Sequence, residues 1–215
     1  MPTPQAQLPA KIGFQGFFAT PVAITHLPGA DEINVALKAL ILERSVSIPS
    51  TDHSNRGGWQ STWDFHEWSG NPGSAVIAAA KQAASRLTCD RTGEAVSPDW
   101  KFNSWANINR RDNGNEFHIH PGCLWSGTYY VDDGGAGDDP ALGGEFEIQD
   151  PRGPAAIMYA PLLAPKVPGG LSTGASELIR PQAGMMILFP SWLSHSVRPY
   201  NGDGVRISIA FNLSL

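Results

Sequence analysis

The chain has 215 residues, enough for one domain of ordinary size, and carries 15 Lys and Arg against 20 Asp and Glu, a formal charge of −5. That mild acidity argues against nucleic acid or an anionic membrane surface as a partner, because either needs a basic face. Charged residues make up 16% of the chain against roughly 25% in typical domains, while 23 Gly and 18 Pro exceed their usual combined share of about 12%, which excludes a coiled coil or helical bundle. A chain that is 41% apolar with seven Trp is not disordered either, and the composition points to a mostly β fold.

In chain order, residues 1–12, with Pro2, Pro4 and Pro9, read as a flexible tail. The start lacks both a basic region and an apolar core of the kind a secretion signal has. No run approaches the ~18 apolar residues of a membrane span. With only Cys89 and Cys123 there is no disulfide framework, so the expectation is a cytoplasmic protein with reduced thiols.

Residues 13–215 form one unit in this reading, with a helical and irregular part over 13–99 and a β core over 100–215. Ile33, Leu37, Leu40 and Ile41 recur at helical spacing between Asp31 and Arg44, with acids first and the base last. A second helix opens at Asn71-Pro72 and runs to about Leu87. The Gly- and Trp-rich stretch 57–70 between them takes no assignment.

From Trp100 onward, short alternating runs are separated by turn residues. Strands are expected over 102–110, 116–120, 124–131, 145–149, 185–189, 195–200 and 205–213. That density predicts a β-sandwich or jelly roll with helices packed outside. Two long connections, 132–142 and 151–177, have the length of loops that cover a site.

In Phe117-His118-Ile119-His120, strand parity places the two imidazoles on one face, the way a strand presents two ligands to one metal ion. His195 follows Phe189-Pro190-Ser191-Trp192 and precedes a strand whose one face is apolar and whose other face is Arg206, Ser208, Ala210 and Asn212. Asn201-Gly202-Asp203-Gly204 reads as a hairpin turn. A two-residue loop would set His195 opposite Ser208, and a four-residue loop would set it opposite Ala210. In either register His195 shares a face with Arg206, whose guanidinium fork suits a carboxylate.

The order His118-x-His120, Gly143-Gly144-Glu145, His195 and Arg206-x-Ser208 resembles the 2-oxoglutarate/Fe(II)-dependent oxygenases. The phrases Ser126-Gly127-Thr128-Tyr129-Tyr130-Val131 and Arg206-Ile207-Ser208-Ile209-Ala210-Phe211-Asn212 are similar to a bacterial and phage branch of them. The resemblance covers about residues 100–215. It implies a double-stranded β-helix (a jelly roll, cupin-like) that uses Fe(II), O2 and 2-oxoglutarate to hydroxylate a C–H bond of a small molecule or peptide side chain.

By the same resemblance His118 and His195 are iron ligands, Arg206 and Ser208 bind the distal carboxylate of 2-oxoglutarate, and Tyr130 reaches that carboxylate. Ser126 is a weaker candidate on the same strand face. The superfamily has an acid where this chain has His120. Either His120 is a third imidazole ligand, or Glu145 or a loop acid completes the set. Two alternatives stay open: a cupin-like metalloenzyme that ignores 2-oxoglutarate, which His120 favours, and a non-catalytic jelly-roll binding module. An exposed sheet edge is the expected route to a homodimer.

Overall fold

The computed structural model describes residues 13, 16–156, 158, 160–163 and 174–215. The expected 1–12 tail lies outside them, as do residues 157, 159 and 164–173 of the 151–177 connection. Among the described residues eleven strands form two antiparallel sheets, with three α-helices on one side.

The six-stranded sheet runs in the order β1 (Ala23–His26), β9 (Met185–Pro190), β6 (Trp125–Asp132), β11 (Arg206–Ser214), β4 (Lys101–Asn109) and β3 (Trp59–Gln60). The five-stranded sheet runs β2 (Asn55–Arg56), β5 (Gly114–His118), β10 (His195–Val197), β7 (Phe146–Gln149) and β8 (Ser176–Ile179). Stacked face to face, they make the jelly roll that the strand density predicts. Near-continuous apolar runs such as Met185-Met186-Ile187-Leu188-Phe189 occupy the larger sheet because both of its faces are covered.

Two apolar clusters follow from this layering. One lies between the larger sheet and the helices α1 (Ala30–Ser47), α2 (Phe65–Trp68) and α3 (Gly70–Arg86). There Leu37 and Ile41 of α1 and Val76, Ala80 and Ala84 of α3 meet Tyr129, Ile209 and Phe211. Small residues at four-residue spacing let α3 lie close to the sheet. The other cluster, Tyr130, Phe146, Ile148, Met185, Ile187, Phe189 and Leu193, fills one end of the space between the sheets.

The hairpin expected across Asn201–Gly204 does not form. β10 pairs with β5 and β7, while β11 pairs with β4 and β6. The chain therefore crosses from one sheet to the other, and its turn residues serve that crossing. Tyr200 anchors it, donating from Oη to the Gly134 carbonyl at 2.6 Å while Gly202 packs on its ring. The same bond pins the 132–142 connection. There Asp132, Asp133 and Asp139 accept from the backbone N–H groups of Gly134, Gly135 and Ala141. This segment is an Asx-turn loop held by its own hydrogen bonds.

Candidate metal centre

β5 and β10 bring His118 and His195 together as direct cross-strand partners. His120 lies just past the end of β5, held by a hydrogen bond from its backbone N–H to the Ser191 carbonyl at 2.9 Å. The three rings sit 4.3, 4.9 and 5.2 Å apart by centroid. Their possible ligand atoms all lie within 4.8 Å of one another. Among the described residues this is the only group of three or more His, Cys, Asp or Glu side chains so arranged, and Glu145 is not in it.

Local hydrogen bonds select the nitrogen each ring presents. His118 Nδ1 lies 2.7 Å from the Glu116 carbonyl, and His195 Nδ1 lies 2.8 Å from the Leu193 carbonyl. A carbonyl only accepts, so Nδ1 carries the proton in both rings and Nε2 keeps a lone pair for a metal. Burial lowers the pKa of His118. It lowers His120 to about 4 and His195 to about 3, with the neighbouring His118 adding to both shifts. All three are therefore neutral near pH 7, the form that binds metal.

The apolar alternates of the same stretch, Phe117 and Ile119, are about half exposed. This strand inverts the usual rule that apolar side chains point in and polar ones out, so core burial cannot be what sets the pattern.

Across the interior, β11 presents Arg206 and Ser208 from the other sheet. Both are buried and line a cavity shared with the three histidines. His195 and Arg206 thus face one space, as expected, although they do so across the sandwich and not as neighbours in one hairpin. Arg206 is 1% exposed, and its Nη1 donates to Asn109 Oδ1 at 3.1 Å. Its Nε has no partner, and neither does the fully buried Tyr130 hydroxyl beside it. The guanidinium carbon lies 4.9 Å from the Tyr130 ring centre. Burial raises the Tyr130 pKa, opposed by the Arg206 charge and by a polar contact with the same guanidinium that falls short of hydrogen-bond geometry.

Gly144 makes room for this side chain: with φ at +75°, it leaves the space where a Cβ would come within 3.2 Å of Arg206 Cδ. A buried cation with free donors next to an orphaned hydroxyl is a cradle for a carboxylate. The donor set fits a ferrous ion held by imidazoles and a dicarboxylate anchored across from it.

Ser126 donates to Asn212 Oδ1 at 2.7 Å, and neither it nor Tyr130, which abuts Arg206, is among the cavity-lining side chains. Trp125 packs toward the helices and Trp192 lies half exposed, so neither lines the cavity. Cys123 is half-buried, and its carbonyl accepts from the Ser191 hydroxyl.

On β4, Trp105 and Asn107 alternate onto one face and line the cavity. Sequence reasoning misses Ser54 and Asn115, joined at 3.2 Å and also lining it. A bulge in β5, where His195 and Val197 pair with His118 and Asn115, turns Asn115 inward against its nominal parity.

A family described as "Putative 2OG-Fe(II) oxygenase" matches residues 103–212, just over half of the chain. No curated protein matches the sequence. Among solved structures the fold is similar to a prolyl-4-hydroxylase from Pseudomonas putida, with a TM-score of 0.61 and 16% identity over 91% of this chain and 92% of that one. It is also similar to a Trichoplax adhaerens prolyl hydroxylase in complex with a hypoxia inducible factor peptide fragment, at TM-score 0.63 and 13% identity, covering 90% and 83%. A viral collagen prolyl hydroxylase from Paramecium Bursaria Chlorella virus-1, in its 2OG complex, matches at TM-score 0.54 and 14% identity over 90% and 96%. At these identities the structures speak for the jelly-roll fold alone; the family match carries the function, and by it the chain belongs to the 2OG-Fe(II) oxygenases, oxidoreductases that use Fe(II), O2 and 2-oxoglutarate.

Proposed function

We propose that His118, His120 and His195 hold the iron, that Arg206, Tyr130 and Ser208 hold the distal carboxylate of 2-oxoglutarate, and that the enzyme hydroxylates a C–H bond of a small molecule or a peptide side chain. The observation that carries this reading is the pairing, across one cavity, of three converging imidazoles with a buried arginine whose Nε is unsatisfied. Bound at the histidines, Fe(II) supplies the oxygen activation that side chains cannot.

The protein groups bind, orient and exclude water. The Arg206 fork and the Tyr130 hydroxyl fix one end of the co-substrate, so its other end points at the histidine-bearing sheet. Phe146 and Phe189, whose rings lie 5.2 and 4.5 Å from that of His195, form a dry wall behind the centre. Peptide substrates are reasonable because one structure of similar fold holds a peptide fragment.

Cobalt(II) absorption and succinate release test the assignment. The wild-type protein should take up one Co(II) with visible bands that shift when 2-oxoglutarate is added, and with Fe(II) it should release succinate. His118→Ala and His195→Ala should lose the bands while still folding. Retention of one Co(II) by both variants would show that the metal sits elsewhere.

A further inference from the structure

The acid residues of the seven strands around the cavity, β4 to β7 and β9 to β11, number three: Glu116, Asp132 and Glu147. Each turns away and meets a cation outside. Glu116 faces Arg56 at 3.7 Å, and Glu147 accepts from Arg198 at 2.9 Å and from the Ser176 hydroxyl at 2.7 Å.

Asp132 is the most telling. Two residues beyond the inward-facing Tyr130, plain alternation would aim it into the interior near Arg206. A register shift between Ile207 and Ser208 pairs it instead with Ile207, on the helix side, where it meets Lys38 of α1 at 2.5 Å. Among the described residues no carboxylate lines the cavity.

This leaves a charge imbalance. Arg206 contributes +1. A ferrous ion on three imidazoles adds +2, because imidazole ligates as a neutral donor, and 2-oxoglutarate removes 2. The loaded cavity keeps +1, where a set with one carboxylate ligand would reach zero. A net charge enclosed between two sheets is costly unless a counter-charge enters.

Resting on the metal and co-substrate reading above, we propose that the loaded centre takes a third, monoanionic ligand. Its source is either a carboxylate carried by the substrate or a free inorganic anion. The pocket that receives it is lined on the β4 side by Trp105 and Asn107 and at the rim by Asn115 and Ser54, which offer donors and no competing acid.

The Co(II) protein with N-oxalylglycine, an inert mimic of 2-oxoglutarate, provides the test. Sodium acetate and sodium chloride are titrated separately at constant ionic strength, read by cobalt absorption and by calorimetry. Saturable binding of acetate without chloride identifies a substrate carboxylate, and saturable binding of chloride identifies an inorganic anion; either supports the proposal. Asn107→Asp adds a negative charge without changing side-chain size. It should weaken anion binding about tenfold or more while still binding Co(II) and N-oxalylglycine. Absence of any saturable response in a protein that does bind N-oxalylglycine overturns the proposal, as does equal anion affinity in the wild type and Asn107→Asp. Failure to bind Co(II) or N-oxalylglycine at all would instead overturn the underlying site assignment.

Discussion

Tyr130 and Arg206 spend hydration that the folded protein alone does not return. A buried hydroxyl without a partner costs about 1–3 kcal/mol, and Tyr130 Oη is in that position. Tyr130→Phe should therefore be as stable to urea as the wild type, or more stable by about 1 kcal/mol, while binding 2-oxoglutarate about tenfold more weakly by calorimetry. Opposite signs in the two measurements separate a ligand-binding hydroxyl from a packing one. Arg206→Lys keeps the charge and loses the fork, so the co-substrate should bind about 10- to 100-fold more weakly. Strand parity puts His118 with His120 on one face and places Arg206 with Ser208, whereas Tyr130 is singled out only by the family resemblance. Asn109, which orients the Arg206 guanidinium, was visible only as one of several alternating asparagines on β4.

At the scale of elements, segments long enough to carry a period could be read and two-residue strands could not. β4, β6, β9 and β11 fall where alternation places them, and α1 and α3 where helical spacing does. β2 and β3, two residues each, are too short to carry a period, and they exist because β5 and β4 offer them partners. The crossing between β10 and β11 was misread for a physical reason: Asn-Gly favours a tight turn but does not say whether the strands it joins stay in one sheet.

Gly127 on β6 shows how closely neighbouring strands of the larger sheet pack on one another. A Cβ there would lie 2.5 Å from the Phe211 ring and 2.6 Å from the Ile187 carbonyl, and the carbonyl, fixed in the sheet, cannot move aside. Gly127→Ala should cost about 1–3 kcal/mol in urea unfolding, with the His118 and His195 pairing retained as read by Co(II) uptake.

Across the whole molecule, the three histidines link stability to pH. Their folded pKa values lie below the ordinary 6.5, at about 4 for His120 and about 3 for His195. As pH falls through 6.5 the unfolded chain takes up protons that the folded protein accepts only at lower pH. The stability present above 6.5 is therefore lost progressively toward those folded values. In EDTA, Tm should fall between pH 6.5 and about 5, a window above the titration of most carboxylates. His120→Gln should make that slope shallower. A flat Tm across the window would show that the rings are hydrated.

The two halves of the site ride on different layers. Imidazoles belong to the five-stranded sheet and the guanidinium to the six-stranded one, so the span between them is set by the thickness of what lies between, chiefly Phe146, Phe189 and Leu193. That filling acts as a spacer gauge. Thinning or thickening it by a methylene would retune the grip on a five-carbon diacid without altering any polar group that binds it.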